Sequence, residues 1–259
     1  MHASEPREGA AILSHHFDDL GQQHDTTNLG MWAFLATEVM FFGGLFAAYA
    51  VYRSMNPEAF GAASRHLNVP LGAINTAVLL CSSLTMALAV HAAQHRRTRQ
   101  VVRFLVATAV LGAGFLGIKA YEWHVDAREG LVPGAGFNWE EAEARRGKHD
   151  ESAKARPLAG LESNRETAEP QLYPGEEAPS VTPAGKAQLF FVLYFAMTGL
   201  HAFHMVVGII LVGLVATLAG RGWFSGGGVS QIEVTGLYWH FIDVVWVFLY
   251  PLLYLIEVR

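Results

Sequence analysis

Five stretches of this chain are apolar on every helical face and long enough to cross a bilayer: roughly Leu29 to Tyr52, Leu71 to Ala93, Phe104 to Trp123, Leu189 to Ala219 and Leu237 to Ile256. A span needs about 20 such residues. A water-soluble chain would instead confine its apolar residues to stripes with the period of a helix or strand. The expected fold is therefore all-α, a polytopic membrane bundle of five transmembrane helices. The fourth run, at about 1.5 Å per residue, exceeds the hydrocarbon thickness and has to tilt or project beyond it.

Residues 1–28 are polar, carry His15, His16 and His24, and lack the cationic stretch and short apolar core of a cleaved signal peptide. They are expected to form an amino-terminal tail, with the first span directing insertion of the domain 29–259. Arg96, Arg97, Arg99 and Arg103 crowd the link between the second and third spans, and short basic loops stay in the cytoplasm. The amino terminus and the loop around Arg221 then face the cytoplasm, and the carboxy terminus and segment 124–185 face outward. The net charge of -5 comes mostly from Glu122 to Gly185, which holds 13 acidic and 7 basic residues. That balance offers no surface for nucleic acid. Segment 124–185 also carries Pro133, Pro157, Pro170, Pro174, Pro179 and Pro183, with few apolar residues beyond Trp139. It reads as an acidic, mostly extended or disordered insertion, either merely solvated or a docking site for a basic partner. Cys81 is the only cysteine, so no internal disulfide forms, and it is expected to pack between helices.

Ionisable and polar groups inside the spans carry the functional signal. Glu38 has Phe34, Leu35, Phe41 and Phe42 as its neighbours three and four positions away, so its own helix offers it neither a counter-charge nor a donor. It is expected either as a protonated acid hydrogen-bonded to another helix or as a functional carboxyl. His201 and His204, three apart, share a helix face. The spacing permits metal ligation, but no carboxylate-rich second ligand set accompanies it, and interhelical hydrogen bonds are the alternative. His91 and His95 belong to the polar edge beside the arginines. His240 and Asp243, one turn apart, are expected as a helix-packing pair. Lys119 and Glu122 can pair while Lys119 snorkels outward, with Trp123 in the aromatic belt. Thr37, Gly44, Ala48, Gly199, Gly208 and Gly213 are small enough to allow close helix approach. No catalytic residue or metal site is assigned.

Five groups of residues then resemble one family in the same order along the chain. They are Gly30-Met-Trp-Ala-Phe-Leu-Ala-Thr-Glu38-Val-Met-Phe-Phe-Gly-Gly-Leu-Phe-Ala-Ala-Tyr49, Asn75-Thr76 with Leu79-Leu80-Cys81-Ser82-Ser83, Phe115-Leu-Gly-Ile-Lys119-Ala-Tyr-Glu122-Trp123, Thr198-Gly-Leu-His201-Ala-Phe-His204, and Tyr238-Trp-His240-Phe-Ile-Asp243-Val-Val-Trp246. Together they resemble subunit III of haem-copper oxidases, in its five-helix bacterial form. The family commonly has seven helices, and these five look like its last five. The wall of a lipid-filled cleft that the first two provide is then absent or supplied by another chain.

The resemblance implies a non-redox subunit, with no active site of its own, of a terminal oxidase that reduces oxygen to water and pumps protons in a bacterial plasma membrane. Haems and copper would reside in partner subunits. This chain would pack against subunit I, with subunit II and a small subunit IV-like chain in the complex, hold phospholipid and support proton uptake. Glu38 aligns with the family's buried helix carboxylate, whose role is proton-related or structural. His201, His204, His240, Asp243, Lys119, Glu122 and Asn75 would serve packing or lipid contact. Cytochrome c is preferred to quinol as electron donor because an acidic outer segment attracts a basic cytochrome. The alternatives are a quinol oxidase subunit, a membrane di-metal oxygenase using His91, His95, His201, His204 and His240, and a proton-coupled transporter built around Glu38.

Overall fold

The computed structural model describes residues 20–134, 136–154, 183–222 and 229–255. Their regular structure is entirely helical: α1 Leu20–Met55, α2 Pro57–Ser64, α3 Val69–Gln94, α4 Thr98–Arg128, α5 Trp139–Lys154, α6 Pro183–Gly220 and α7 Val229–Tyr254. Backbone amides in hydrocarbon must be satisfied within their own segment, which is why each apolar run closes into a helix. Five of the seven helices (α1, α3, α4, α6 and α7) are long and apolar enough to span a membrane.

Four of the spans form the bundle proper. Half of the apolar window of α7 is buried, against 17% of that of α1. The interior centres on Trp239 and Trp246 of α7, Phe115 of α4, and Phe190 and Tyr194 of α6, all at most 1% exposed. Helix α3 runs beside α4, and the seam between them carries hydrogen bonds from Ser82 Oγ to the Thr108 carbonyl (3.3 Å) and between the hydroxyls of Thr85 and Thr108 (2.8 Å). The reversal between them is a tight cap. Arg96 adopts φ +55°, its N–H donates to Ala93 O at 2.9 Å, and the Arg97 N–H donates to Ala92 O at 3.0 Å. This is the paired bonding that usually recruits glycine. At the far end of α4, Gly130 (φ +75°) plays the same part, with Leu131 N–H reaching Asp126 O at 3.0 Å.

Helices outrun the apolar limits. α1 begins at Leu20, α4 at Thr98 and α7 at Val229, because polar residues at the membrane surface continue the helical ladder without a breaker. In α7 the extension is also packed: a Cβ on Gly236 would lie 3.1 Å from Val90 Cγ2, and Gln94 donates to Glu233 at 3.1 Å.

Several expectations need correction. Helix α2 was not anticipated; it opens on Pro57, a residue suited to a helix start, and buries Phe60 between Tyr49 and Phe190. The outer segment is not extended over 139–154 but helical, as α5; residues 155–182 lie outside the described set. Cys81 is exposed on the lateral surface rather than packed between helices. Gly44 and Gly213 face open space and Gly199 only a distant ring edge, whereas Gly208 does admit Trp239 and Ile242, at 3.2 Å from a would-be Cβ. The tightest approaches occur at Gly112, against Trp239 (2.6 Å), and Gly72, against Tyr250 (2.8 Å).

Candidate functional site

Among the described residues, ionisable side chains gather inside the spans in compact clusters, and the first forms around Lys119. Residues 119, 122 and 126 recur every three to four positions of α4, so the ammonium and two carboxylates share one face. That face turns inward: Lys119 is 1% exposed, Glu122 5% and Asp126 3%. The ammonium donates to Glu122 Oε2 (2.9 Å), Tyr194 Oη (2.9 Å) and Tyr254 Oη (2.6 Å), so its three hydrogens have three acceptors. Tyr254 in turn donates to the Glu122 carboxylate (2.8 Å to Oε1), and Tyr194 donates to Asp126 Oδ2 (3.2 Å). The ammonium also lies 4.7 Å from the centroid of the Tyr194 ring and 5.4 Å from that of Trp246. The predicted Lys119–Glu122 pair exists, but Lys119 does not snorkel. Asp126 was legible in the i+4 spacing from Glu122, whereas nothing local marks Tyr194 and Tyr254, which come from α6 and α7.

The second cluster answers what surrounds Glu38. His204 of α6 brings Nε2 to 3.2 Å from Glu38 Oε2, with the two side chains 10% and 17% exposed. The contact has ion-pair distance but is out of line for a hydrogen bond, leaving Oε2 without such a partner. His204 Nδ1 lies 2.9 Å from the Leu200 carbonyl. A carbonyl only accepts, so Nδ1 is the donor in this contact and Nε2 is the ring atom that faces the carboxyl. Phe42 packs on the imidazole (5.5 Å between centroids), Phe34 on Tyr238 (6.1 Å), and the Tyr238 hydroxyl donates to the His204 carbonyl at 3.2 Å. Spacing within α1 could not reveal this partner, 166 residues away.

The remaining predicted residues part company. His201 makes no interhelical hydrogen bond: both ring nitrogens lack partners, and the ring is wedged between Phe115 (5.5 Å) and Trp246 (5.1 Å). His240 does not hold Asp243. Its Nδ1 lies 2.7 Å from Ser83 Oγ on α3, while both Asp243 oxygens, 4% exposed as a residue, have no hydrogen-bonded partner, although Ser83 also faces them. Asn75 is buried beside this seam with Oδ1 unpaired, and its neighbour Thr76 accepts from Trp246 Nε1 at 3.0 Å. His91 and His95 meet at the end of α3 with their rings tilted at 49° and centroids 4.3 Å apart, away from the other histidines. The five histidines of the di-metal alternative therefore do not converge, and among the described residues no three His, Cys, Asp or Glu side chains gather as a ligand set.

Comparison with known proteins fits this geometry. The family model for cytochrome c oxidase subunit III matches residues 9–129 and 183–258, which include all five spans and leave out the segment containing α5. The chain is 25% identical over 257 residues to cytochrome c oxidase subunit 3 of Thermostichus vulcanus, covering 99% of this chain and 98% of that one. It is 29% identical over 229 residues to quinol oxidase subunit 3 of Bacillus spizizenii, covering 88% and 85%. To cytochrome bo(3) ubiquinol oxidase subunit 3 of Pseudomonas aeruginosa it is 24% identical over 257 residues, covering 95% and 97%. With the match falling on the very helices that carry Glu38, Lys119, His204 and Asp243, this chain belongs to the cytochrome c oxidase subunit III family of haem-copper oxidases.

Proposed function

We propose that this chain is the redox-silent subunit III of a cytochrome c oxidase, a multi-pass subunit of a bacterial plasma membrane with its amino terminus in the cytoplasm. The observation that carries the reading is the family match across all five spans. Haems and copper, which perform the reduction of oxygen to water, belong in partner subunits. Two of the intramembrane histidines are engaged within the bundle, His204 by Leu200 and Glu38 and His240 by Ser83. The main contact is with subunit I, beside subunit II and a small subunit IV-like chain, and phospholipid fills what the bundle leaves open. Cytochrome c is the proposed donor because the segment from Glu122 to Gly185 is acidic; relatives named for quinol oxidases keep quinol as the second reading.

The Glu38 and His204 pair supplies the proton-related role. Its two groups meet at 3.2 Å, and the 17% exposure of the Glu38 side chain opens it to a neighbouring subunit or lipid at the bundle's flank. Such a pair suits a proton relay that supports uptake by the catalytic subunit.

Purification through a tag on this chain tests the proposal. A haem spectrum and a full set of oxidase subunits in the eluate support it. A chain that is stable and active alone, carrying its own iron or copper, overturns it. Turnover with reduced cytochrome c against a quinol separates the donors. Cytochrome c turnover that neither varies with salt nor changes on deleting the acidic segment removes the docking argument.

A further inference from the structure

Glu38 sits midway between two phenylalanines on α1, Phe34 four residues before it and Phe42 four residues after, so all three share one side of that helix. Each ring meets a side chain of another helix. Phe42 packs on His204 of α6 (5.5 Å between centroids) and on Phe241 of α7 (6.2 Å), and Phe34 packs on Tyr238 of α7 (6.1 Å). These contacts matter because α1 is the least embedded span: 17% of its apolar window is buried, against 33% for α6 and 50% for α7. Ring contacts one turn to either side of Glu38 fix both the depth and the rotation of its carboxyl.

The wall opposite Glu38 is built from α6 and α7 together. Gly208 lets these two helices close up, since a Cβ there would lie 3.2 Å from the Trp239 ring. Gly208 stands one turn beyond His204 and Trp239 follows Tyr238 directly, so the close approach brings Tyr238 across the His204 turn of α6. The Tyr238 hydroxyl donates to the His204 carbonyl at 3.2 Å. A helical carbonyl can accept it, because one lone pair is left over from the ladder bond. Tyr238 is 4% exposed and lies within electrostatic reach of Glu38.

We propose that Tyr238 is the positioning residue of the Glu38–His204 contact. Its ring seats α1 through Phe34, and its hydroxyl holds the backbone of His204. Tyrosine suits the place because it combines a large apolar ring with a hydroxyl that takes a partner when buried. The two members of the pair stand 3.2 Å apart with Glu38 Oε2 lacking a hydrogen bond, so their separation depends on what supports them from outside. The consequence for proton uptake rests on the role proposed above for that pair, whereas the positioning itself does not.

The test uses the oxidase purified through a tag on this chain and carrying Tyr238→Phe, which deletes the hydroxyl and keeps the ring. One readout is the infrared band of the Glu38 carboxyl, isolated by subtracting the spectrum of the same protein with Glu38→Gln; the other is stopped-flow proton uptake. Tyr238→Phe is expected to shift the Glu38 band and to slow uptake about fivefold, the size of one neutral hydrogen bond, with Glu38→Gln/Tyr238→Phe no slower than Glu38→Gln alone. Thr85→Val removes a buried hydroxyl contact of the α3–α4 seam and should leave the Glu38 band at its wild-type position. Phe34→Leu loosens the ring contact from the α1 side and should also shift the band, and it stands in where Tyr238→Phe fails to assemble. A shifted band together with wild-type uptake in Glu38→Gln removes the proton role and keeps the positioning. A Glu38 band at its wild-type position in an assembled Tyr238→Phe or Phe34→Leu protein, or an equal shift in Thr85→Val, overturns the proposal.

Discussion

Replacing Lys119 with methionine separates two physical pictures of the lysine on α4. A snorkelling lysine would hold its charge in water, and its pair with Glu122 would contribute about 0–1 kcal/mol, the range for exposed ion pairs. In the structure Lys119 is 1% exposed and uses all three ammonium hydrogens on Glu122, Tyr194 and Tyr254. Lys119→Met leaves Glu122 and Asp126 buried in one cluster without the cation between them. Breaking a buried pair from one side costs about 3–5 kcal/mol. Glu122→Gln added to Lys119→Met removes one of the stranded charges, and contacting residues of this kind couple by about 0.5–3 kcal/mol. The double variant should therefore recover part of the loss. The assay is equilibrium unfolding of the purified protein in mixed micelles of mild detergent and dodecyl sulfate, followed by circular dichroism. A Lys119→Met variant within about 1 kcal/mol of wild type, the limit for an exposed pair, would refute the buried cluster.

Three further outcomes are expected. Gly112→Ala should cost about 1–3 kcal/mol in the same unfolding assay, the range for overpacking, because its Cβ would lie 2.6 Å from the ring of the fully buried Trp239. Gly117→Ala, with nothing within 4 Å of its Cβ, should be neutral or stabilising by up to about 1 kcal/mol through helix propensity; equal effects at the two sites would remove the packing argument. Burial holds the His66 imidazole below its ordinary pKa, with Glu143 opposing more weakly, so the unfolded state binds the proton more readily and the contribution of His66 is lost as pH falls below about 6.5. Hydrogen-exchange protection of α5 should accordingly drop between pH 7.5 and 5.5, and protection that holds or rises there contradicts this. Glu38→Gln and His204→Gln should each alter proton uptake by the oxidase while the subunits remain assembled, with the double variant no worse than either single; additive losses in stopped-flow proton uptake would mean that the two residues do not act as a pair.

The spans were legible because hydrocarbon imposes one requirement, continuous apolarity over a fixed length, and the sequence displays it without reference to any other segment. Partners inside the bundle were not legible, because each is a meeting of helices. His201 and His204 look equivalent in sequence, yet a turn of about 300° for three residues gives them different neighbours: one imidazole reaches Glu38 and the other lodges between Phe115 and Trp246. Asp243 was paired with His240 on the same reasoning, and a hydroxyl on α3 took His240 instead. Helix α5 escaped notice because its composition is that of a solvated chain. Its order comes from a few tertiary contacts of Trp139, Ala142 and Glu143, which no local pattern announces.

The clusters around Lys119 and Glu38 differ in how completely their charges are partnered. Where the bundle is thickest, around α4, α6 and α7, charge is enclosed in a mutually bonded cluster and is there to fix the packing of α4 against the tyrosines of α6 and α7. Where the bundle is thinnest, at the seam of α1 with α6, the carboxyl of Glu38 meets a single misaligned imidazole and stays partly open at the flank. A buried ionisable group with a complete set of partners resists a change of protonation, because every proton moved breaks a bond that nothing replaces. The asymmetry makes the Lys119 cluster a packing device, and the proton role proposed for Glu38 rests on its incomplete set of partners at the flank of α1.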